Sequence, residues 1–291
     1  MPDPTRHPSG HFDPSTPVSL LDRIVSAKWE EIEVLEQNPA YQDSPSDYVA
    51  PSDVSGVHVQ PNFAAALRRP AGSPIRVIAE CKKASPSMGL IKPDYDPARI
   101  AITYRDCGAQ ALSVLTDRSF FQGCNADLMA ARKAELPIIR KDFILSPLQI
   151  REAREIGASA ILLIVRILSA QQLVELQHAA REWGLHALVE IHNEAEAEAA
   201  MQSGARIIGI NHRDLDTLEM DLGLTARIAP QIRSARPDCI LVGESGVESP
   251  GGLARVDPYV DAVLIGTALM KSADIAATWR TIFSNQNYQS H

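Results

Sequence analysis

The chain has 291 residues, 45% of them apolar, and a formal net charge of −8. That length suits one large α/β domain or two small ones, and the apolar fraction supplies a sizeable core. The acidic balance argues against nucleic acid as the main partner, which would need a strongly basic face; an anionic small molecule would have to be held by a few placed cations and backbone N–H groups.

The four cysteines, Cys81, Cys107, Cys124 and Cys239, form no C-x-x-C pair and have no histidine at zinc-ligand spacing. A disulfide framework would be denser, so a reducing compartment is expected and no metal site is predicted. The opening MPDPTRHPSGHFDPSTP lacks the apolar core of a signal peptide, and no apolar run approaches the ~20 residues of a membrane span. The sequence therefore reads as cytosolic, with no membrane partner.

Residues 1–17, rich in Pro, Ser and His, are expected to be a disordered tail. Ser19 to Gln37 reads as a helix: Ser19 and Asp22 form a capping signature, Leu21, Ile24, Val25, Ile32 and Leu35 recur at helical spacing, and Asn38-Pro39 ends it. A Pro-, Ser- and Asp-rich stretch over 38–61 reads as a long loop, and residues 62–69 as a short helix stopped by Pro70 and Gly72. Residues 18–72 are thus a helical extension ahead of the main domain, which is expected to span 73–285.

A rhythm of short apolar, β-branched runs then begins: IRVIAE (75–80), ALSVL (111–115), PIIR (137–140), SAILLIV (159–165), HALVE (186–190), RIIGI (206–210), CILVG (239–243) and DAVLIG (261–266). Stretches with helical character, such as 97–108 and 169–184, separate them, several ending in a glycine suited to a helix C-cap. Continuous apolar strands alternating with helices imply a parallel sheet covered on both faces. Eight such units in about 210 residues fit a closed (β/α)8 TIM barrel. The rival, an open doubly wound sheet, normally has fewer units and often a Gly-rich first turn, where this chain has KKASPSMG.

In such a barrel the active site lies at the carboxyl ends of the strands. The first strand ends in Glu80-Cys81-Lys82, and the two-residue period puts Glu80 and Lys82 on one side and Cys81 on the other. By themselves these charges fit a rim ion pair as well as an active site. The third strand ends in Arg140-Lys141-Asp142, the fifth in Glu190, the sixth in Asn211-His212-Arg213, the seventh in Glu244-Ser245-Gly246 and the eighth in Gly266-Thr267. Glycines in the last two loops suit phosphate held by backbone N–H groups. So many polar strand ends are not required for stability, and together they describe one site for a phosphorylated small molecule.

The same residues resemble a family. AECKKASPSMG (79–89), SVLTDRSFFQG (113–123), PIIRKDFIL (137–145), LVEIH (188–192), IGINHRDLDTLEMDL (208–222), GESG (243–246) and LIGTALM (264–270) are similar, in order, to motifs of indole-3-glycerol phosphate synthase. That resemblance implies ring closure, decarboxylation and dehydration of 1-(2-carboxyphenylamino)-1-deoxyribulose 5-phosphate, a carboxy-lyase reaction of tryptophan biosynthesis that needs no nicotinamide or flavin cofactor. It implies that Lys141 is the general acid, Glu190 the general base and Lys82 a second lysine that holds substrate, with the division of proton transfers between the lysines left open. Glu80 and Glu244 would orient lysines and sugar hydroxyls. Asn211 and Arg213 would meet polar groups of the substrate, and Phe121 its ring. Ser85, Ser245, Gly246, Gly266 and Thr267 would form the phosphate site. Lys141 is expected to have its pKa lowered by burial and neighbouring cations. The resemblance also implies that the N-terminal helix and FAAALR (63–68) pack over the barrel mouth.

Some positions depart from the family's commonest pattern: His212 for Ser or Asn, Thr267 for Ser, Gly243 for Ala or Ser. None removes a catalytic group. Two alternatives remain at this point: another phosphate-binding barrel such as phosphoribosylanthranilate isomerase, disfavoured by Lys82, Lys141 and Glu190, and a catalytically inactive sugar-phosphate-binding barrel. Monomer and weak oligomer are both left open.

Overall fold

The computed structural model describes residues 19–41 and 61–284. The expectations for the 1–17 tail, for most of the 38–61 loop and for residue 285 fall outside the described residues.

Eight parallel strands close on themselves: β1 (Arg76–Cys81), β2 (Ala111–Leu115), β3 (Ile138–Lys141), β4 (Ala160–Ile164), β5 (His186–Ile191), β6 (Ile207–Asn211), β7 (Ile240–Glu244) and β8 (Ala262–Ile265). Closure is made by β1, which pairs with β2 through Ile78–Ala111 and with β8 through Arg76–Ala262. The expected strand runs match to within a residue or two at each end. A parallel barrel hides both faces of every strand, and the sequence accordingly has nearly continuous apolar runs.

The two-residue period sorts these runs into two cores. Ile78, Ala111, Ile139, Leu162, Leu188, Ile207, Val242 and Leu264 fill the interior. Val77, Ala79, Cys81, Leu112, Val114, Ile161, Leu163, Val189, Leu241 and Val263 face the surrounding helices. Cys81 therefore packs outward, as its place between Glu80 and Lys82 predicts.

The first two helices close the barrel at opposite ends. Helix α1 (Leu20–Glu36) starts with the expected capping box, Ser19 Oγ accepting from the Asp22 backbone N–H while Asp22 accepts from the Ser19 N–H. Leu20, Leu21 and Ile24 reach over the carboxyl ends of the strands. Helix α2 (Phe63–Leu67), capped by Asn62, lies at the other end. Its Phe63 and Leu67 are fully buried in the interior core, and Arg76, at the start of β1, donates to the Arg68 carbonyl. The expectation that FAAALR packs over the mouth is thus corrected. Its two large apolar side chains, four residues apart, plug the amino end, where the interior would otherwise open to water.

The barrel helices are α3 (Pro97–Asp106), α4 (Asn125–Ala131), α5 (Pro147–Glu155), α6 (Ala170–Glu182), α7 (Glu194–Gln202), α8 (Leu224–Ala235) and α9 (Pro250–Val256), followed after β8 by α10 (Thr267–Lys271) and α11 (Ile275–Ile282). Asp96, Ser146, Ser169, Asn193, Ser249 and Asp274 accept N-cap hydrogen bonds at six of these helices, and proline opens α3, α5 and α9. Such caps at the strand-to-helix turns fix the loops that carry polar residues at the mouth. Among the described residues no helix is long and apolar enough to cross a membrane.

Candidate active site

One cavity opens at the carboxyl ends of the strands. Its lining includes every residue to which the resemblance assigns a catalytic or substrate-binding role: Glu80, Lys82, Ser85, Phe121, Lys141, Glu190, Asn211, Arg213, Glu244, Ser245, Gly246, Gly266 and Thr267. Residues not singled out complete it. Leu20, Leu21 and Ile24 from α1, with Phe143, Leu162, Ile164, Leu215 and Leu264, give it apolar walls. Their only sequence signal is their apolar character.

The floor is ionic. Lys141 Nζ donates to Glu190 Oε2 at 2.5 Å and to Glu244 Oε2 at 2.7 Å. These three side chains come from β3, β5 and β7, alternate strands whose inward residues form one layer. Beside them Lys82 Nζ sits 2.6 Å from Glu80 Oε1. This pair faces the same cavity as Lys141.

Two glycines make room for this floor. Gly209 pairs in register with Glu190, and a Cβ there would come 2.0 Å from Glu244 Oε1. A Cβ on Gly266 would lie 2.8 Å from the Glu80 Cβ and 2.3 Å from its Oε1. Gly266 was singled out for close approach to an anion; the structure shows that it also seats Glu80.

The neighbours of Lys141 reverse one expectation. Burial does work to lower its pKa, but Glu190 and Glu244, with Glu80 behind them, outweigh it and hold the ammonium above the usual lysine range. Lys82, the expected cationic neighbour, is paired with Glu80 beside this layer. The two carboxylates diverge. Burial opposes ionisation of both, yet Lys141 and then His192 hold Glu190 well below the ordinary range. Glu244 shares that lysine and faces Glu190, so burial wins and pushes it up to about 7. Its Oε1 is buried with no hydrogen-bond partner among the described residues.

Asn211 ties the strands together, donating to Glu190 Oε1 at 3.1 Å and accepting from Ser245 Oγ at 2.8 Å and from the Arg213 N–H at 3.1 Å. Arg213 begins a loop that folds back through a bridge to Met220, its guanidinium donating to the Leu218 carbonyl. Phe121 stacks at a tilt on Phe143, centroids 6.2 Å apart. Ser85 lies in a two-stranded hairpin, Ala84–Ser85 with Gly89–Leu90, at the edge of the opening.

The turn after β7 is conformationally demanding: Ser245 has φ of 64° and Gly246 of 80°. A non-glycine residue in this region costs about 1 kcal/mol or more and persists only where its surroundings hold it. His212 does the holding. Its Nδ1 is 2.8 Å from the Glu244 carbonyl and 3.1 Å from that of Ser245, while Nε2 is 2.7 Å from Thr225 Oγ1. Two carbonyls can only accept, so Nδ1 carries the proton and Nε2 accepts from the threonine hydroxyl. His212 is buried and does not line the cavity; it shapes the turn that does.

Comparison with known proteins settles the family. The family model described as indole-3-glycerol phosphate synthase matches residues 21–282, nearly all of the described chain. The chain belongs to the indole-3-glycerol phosphate synthase family. It is 43% identical to the indole-3-glycerol phosphate synthase of Chlorobium chlorochromatii over 263 residues, covering 89% of this chain and 98% of that protein. It is 44% identical over 266 residues to the synthase of Chloroherpeton thalassium, with the same coverages. It is 47% identical over 216 residues to that of Dehalococcoides mccartyi, covering 72% and 82%. Solved barrels outside the synthases share the fold alone. An N-acetylmannosamine-6-phosphate 2-epimerase from Clostridium perfringens superposes with a TM-score of 0.54 at 15% identity over 74% of this chain and 93% of that one. Thiamine phosphate pyrophosphorylase from Pyrococcus furiosus gives 0.52 at 14% identity, over 72% and 94%. Among the described residues of this family member, no cluster of His, Cys, Asp and Glu is arranged to hold a metal ion.

Proposed function

We propose that the cavity carries out the family's reaction: conversion of 1-(2-carboxyphenylamino)-1-deoxyribulose 5-phosphate to indole-3-glycerol phosphate, with loss of carbon dioxide and water. The observation that carries this reading is Lys141 between Glu190 and Glu244 on the floor of the cavity. An ammonium has three N–H donors. Two are taken by the carboxylates, and the third serves a substrate oxygen.

In this reading Lys141 donates to the ketone oxygen as the aromatic ring carbon attacks the ketone carbon. Loss of carbon dioxide and departure of the hydroxyl as water follow, and Glu190 takes the proton whose removal restores aromaticity. Because carboxylates hold Lys141 protonated, the acid is fully charged at neutral pH. Its transfer is driven by the basicity of the developing alkoxide rather than by a lowered lysine pKa. Lys82, steadied by Glu80, holds the substrate and takes part in proton transfer. The walls formed by Phe121, Phe143, Leu162 and α1 suit the anthranilate ring, and Arg213 suits its carboxylate. The phosphate goes to the backbone of 245–246 and 266–267, where the first N–H groups of α10 have no intrahelical acceptor, with Ser85 closing from the hairpin. The substrate is a small phosphorylated molecule, and neither nucleic acid nor membrane enters the reaction. The proposed domain arrangement is the helical extension followed by the barrel.

Purified protein given this substrate should develop indole fluorescence. Lys141→Ala should lose at least two to four orders of magnitude in kcat, the range for a positioned acid, while its circular dichroism stays that of the wild type. Intact folded protein with no fluorescence gain would overturn the assignment.

A further inference from the structure

The family reading leaves His192 without a role, yet it is the histidine nearest the base. It lies one residue past β5, with its side chain about 1% exposed. Nδ1 is hydrogen-bonded to Glu196 Oε2 at 3.0 Å, while Nε2 lies 3.2 Å from Glu190 Oε1, within ion-pair range but without hydrogen-bond geometry. The backbone N–H of His192 also donates to Glu196 Oε2, at 2.7 Å.

Both carboxylates also accept from donors other than the ring. Glu190 accepts from Lys141 and Asn211. Glu196 accepts from Asn193 at 2.9 Å and from Arg166 at 3.1 Å. Glu190 Oε1 accepts from Asn211 and Glu196 Oε2 from the His192 backbone N–H, so both oxygens facing the ring act as acceptors. A neutral imidazole has one N–H and one lone pair, so in either tautomer it would set a ring lone pair against a carboxylate oxygen at about 3 Å. Only the doubly protonated ring makes both contacts attractive, the one at Nδ1 as a hydrogen bond and the one at Nε2 as an ion pair.

We propose that His192 is a positioning residue that works as an imidazolium, clamped between Glu190 and Glu196, and holds the base Glu190 ionised and oriented toward the substrate. It rests on the assignment of Glu190 as base and extends it. The charged groups facing the ring are Glu190 from its own strand and Glu196 from α7; Lys141 and Arg166 lie on the far sides of those carboxylates. Burial pulls the imidazole pKa down, but the two carboxylates outweigh it and raise it to about 9. The chain of pairs continues from Arg166 to Asp214 at 2.8 Å, next to Arg213. The base is thereby braced against the loop that carries the proposed carboxylate-binding arginine.

The test has two readouts on the full chain. Nitrogen-15 NMR of the imidazoles, with His192 assigned by its loss in His192→Gln, should show both ring nitrogens protonated at pH 7 and titration near pH 9. Glu196→Gln should move that titration down by about one unit or more. In steady-state assays His192→Gln should lower kcat more than it raises KM, and shift the acidic limb of the kcat profile up by about one unit. A ring neutral at pH 7, or a His192→Gln profile superimposable on that of the wild type, overturns the proposal. Should His192→Gln fail to fold, the titration in Glu196→Gln decides alone: an unmoved midpoint overturns it. Substantial activity in Glu190→Gln would instead remove the base assignment and leave the charge of the ring measured independently.

Discussion

Lys28 Nζ lies 2.9 Å from Asp142 Oδ1, and both side chains are about 1% exposed. Lys28 is also 3.1 Å from Asp117 and 2.8 Å from Glu31. Asp142 follows Lys141 directly and pairs through its other oxygen with Arg140 and Thr116, while Asp117 accepts from the N–H groups of Phe120 and Phe121. One buried ammonium on α1 thus joins the helix that covers the cavity to the ends of β2 and β3.

Lys28→Met should therefore cost about 3–5 kcal/mol, because it leaves two buried carboxylates short of a partner. Urea unfolding measures this. Loss of under about 1 kcal/mol would show the pair to be dispensable. KM should rise as well, since α1 carries Leu20, Leu21 and Ile24 to the cavity wall. For Lys28 burial lowers the pKa but Asp142 and Asp117 raise it further, and for Asp142 burial raises it but Arg140 and Lys28 lower it. The lysine contribution is complete below its ordinary value of ~10.4 and fades as pH rises through the higher folded value. The aspartate contribution is complete above ~3.9 and fades as pH falls through the lower folded value.

Glu244 should dominate the pH dependence of substrate binding. Its folded pKa of about 7 lies above the ordinary glutamate value. The protonated form is thus favoured by folding: its stabilising contribution is full below ~4.3 and is lost as pH rises through about 7. Ionisation also places a further negative charge beside an anionic substrate, so KM should rise above neutrality. Glu244→Gln should flatten that rise, whatever it does to kcat. An unchanged KM profile in the variant would exclude Glu244 as the titrating group.

Gly266→Ala should damage activity through Glu80. The added methyl would meet the Glu80 side chain at its Cβ, which cannot swing away as the carboxylate can. Displacing Glu80 releases Lys82 from its 2.6 Å partner. A fall in kcat on the order of tenfold or more is expected, comparable to about 1.4 kcal/mol of lost positioning. Wild-type kcat with a raised KM alone would point to the phosphate instead.

His212→Ala should relax the turn at Ser245 and Gly246. Removing the ring leaves the Ser245 carbonyl and the Thr225 hydroxyl without their partner, while the Glu244 carbonyl keeps the residue-212 backbone N–H, at about 1–3 kcal/mol for a buried unsatisfied group. KM and inorganic phosphate inhibition should weaken together while the Lys141-dependent step keeps its pH profile. Asparagine, smaller but still a donor, should restore part of the loss. Equal phosphate affinity in His212→Ala and the wild type would remove His212 from this role.

The eight strands and their helices were legible because periodicity is local: each run carries its own two-residue pattern, and each turn its own cap or glycine. The gathering of Glu80, Lys82, Lys141, Glu190, Asn211 and Glu244 in one cavity was legible for a related reason, since a parallel barrel brings all its strand ends to one face. Capping of α1 by Ser19 needed only four residues of sequence.

The charge state of that cavity was decided by the tertiary structure. Lys141 is separated from Glu190 by 49 positions and from Glu244 by 103, so its two anionic partners are neighbours only after closure. Lys28 occupies the buried stripe of α1 formed with Leu21, Ile24 and Ile32, and its role appears only where Asp117 and Asp142 meet it. FAAALR is apolar in either place, and only the packing of Phe63 and Leu67 puts it at the amino end. Apolar patterning is written along the chain, whereas a pKa depends on which charges lie within a few ångströms in space. The sequence by itself determined the barrel and which residues gather at its mouth; the fold decided that Lys141 is held charged, that Glu190 and Glu244 are held apart in protonation, and that His192 lies against Glu190.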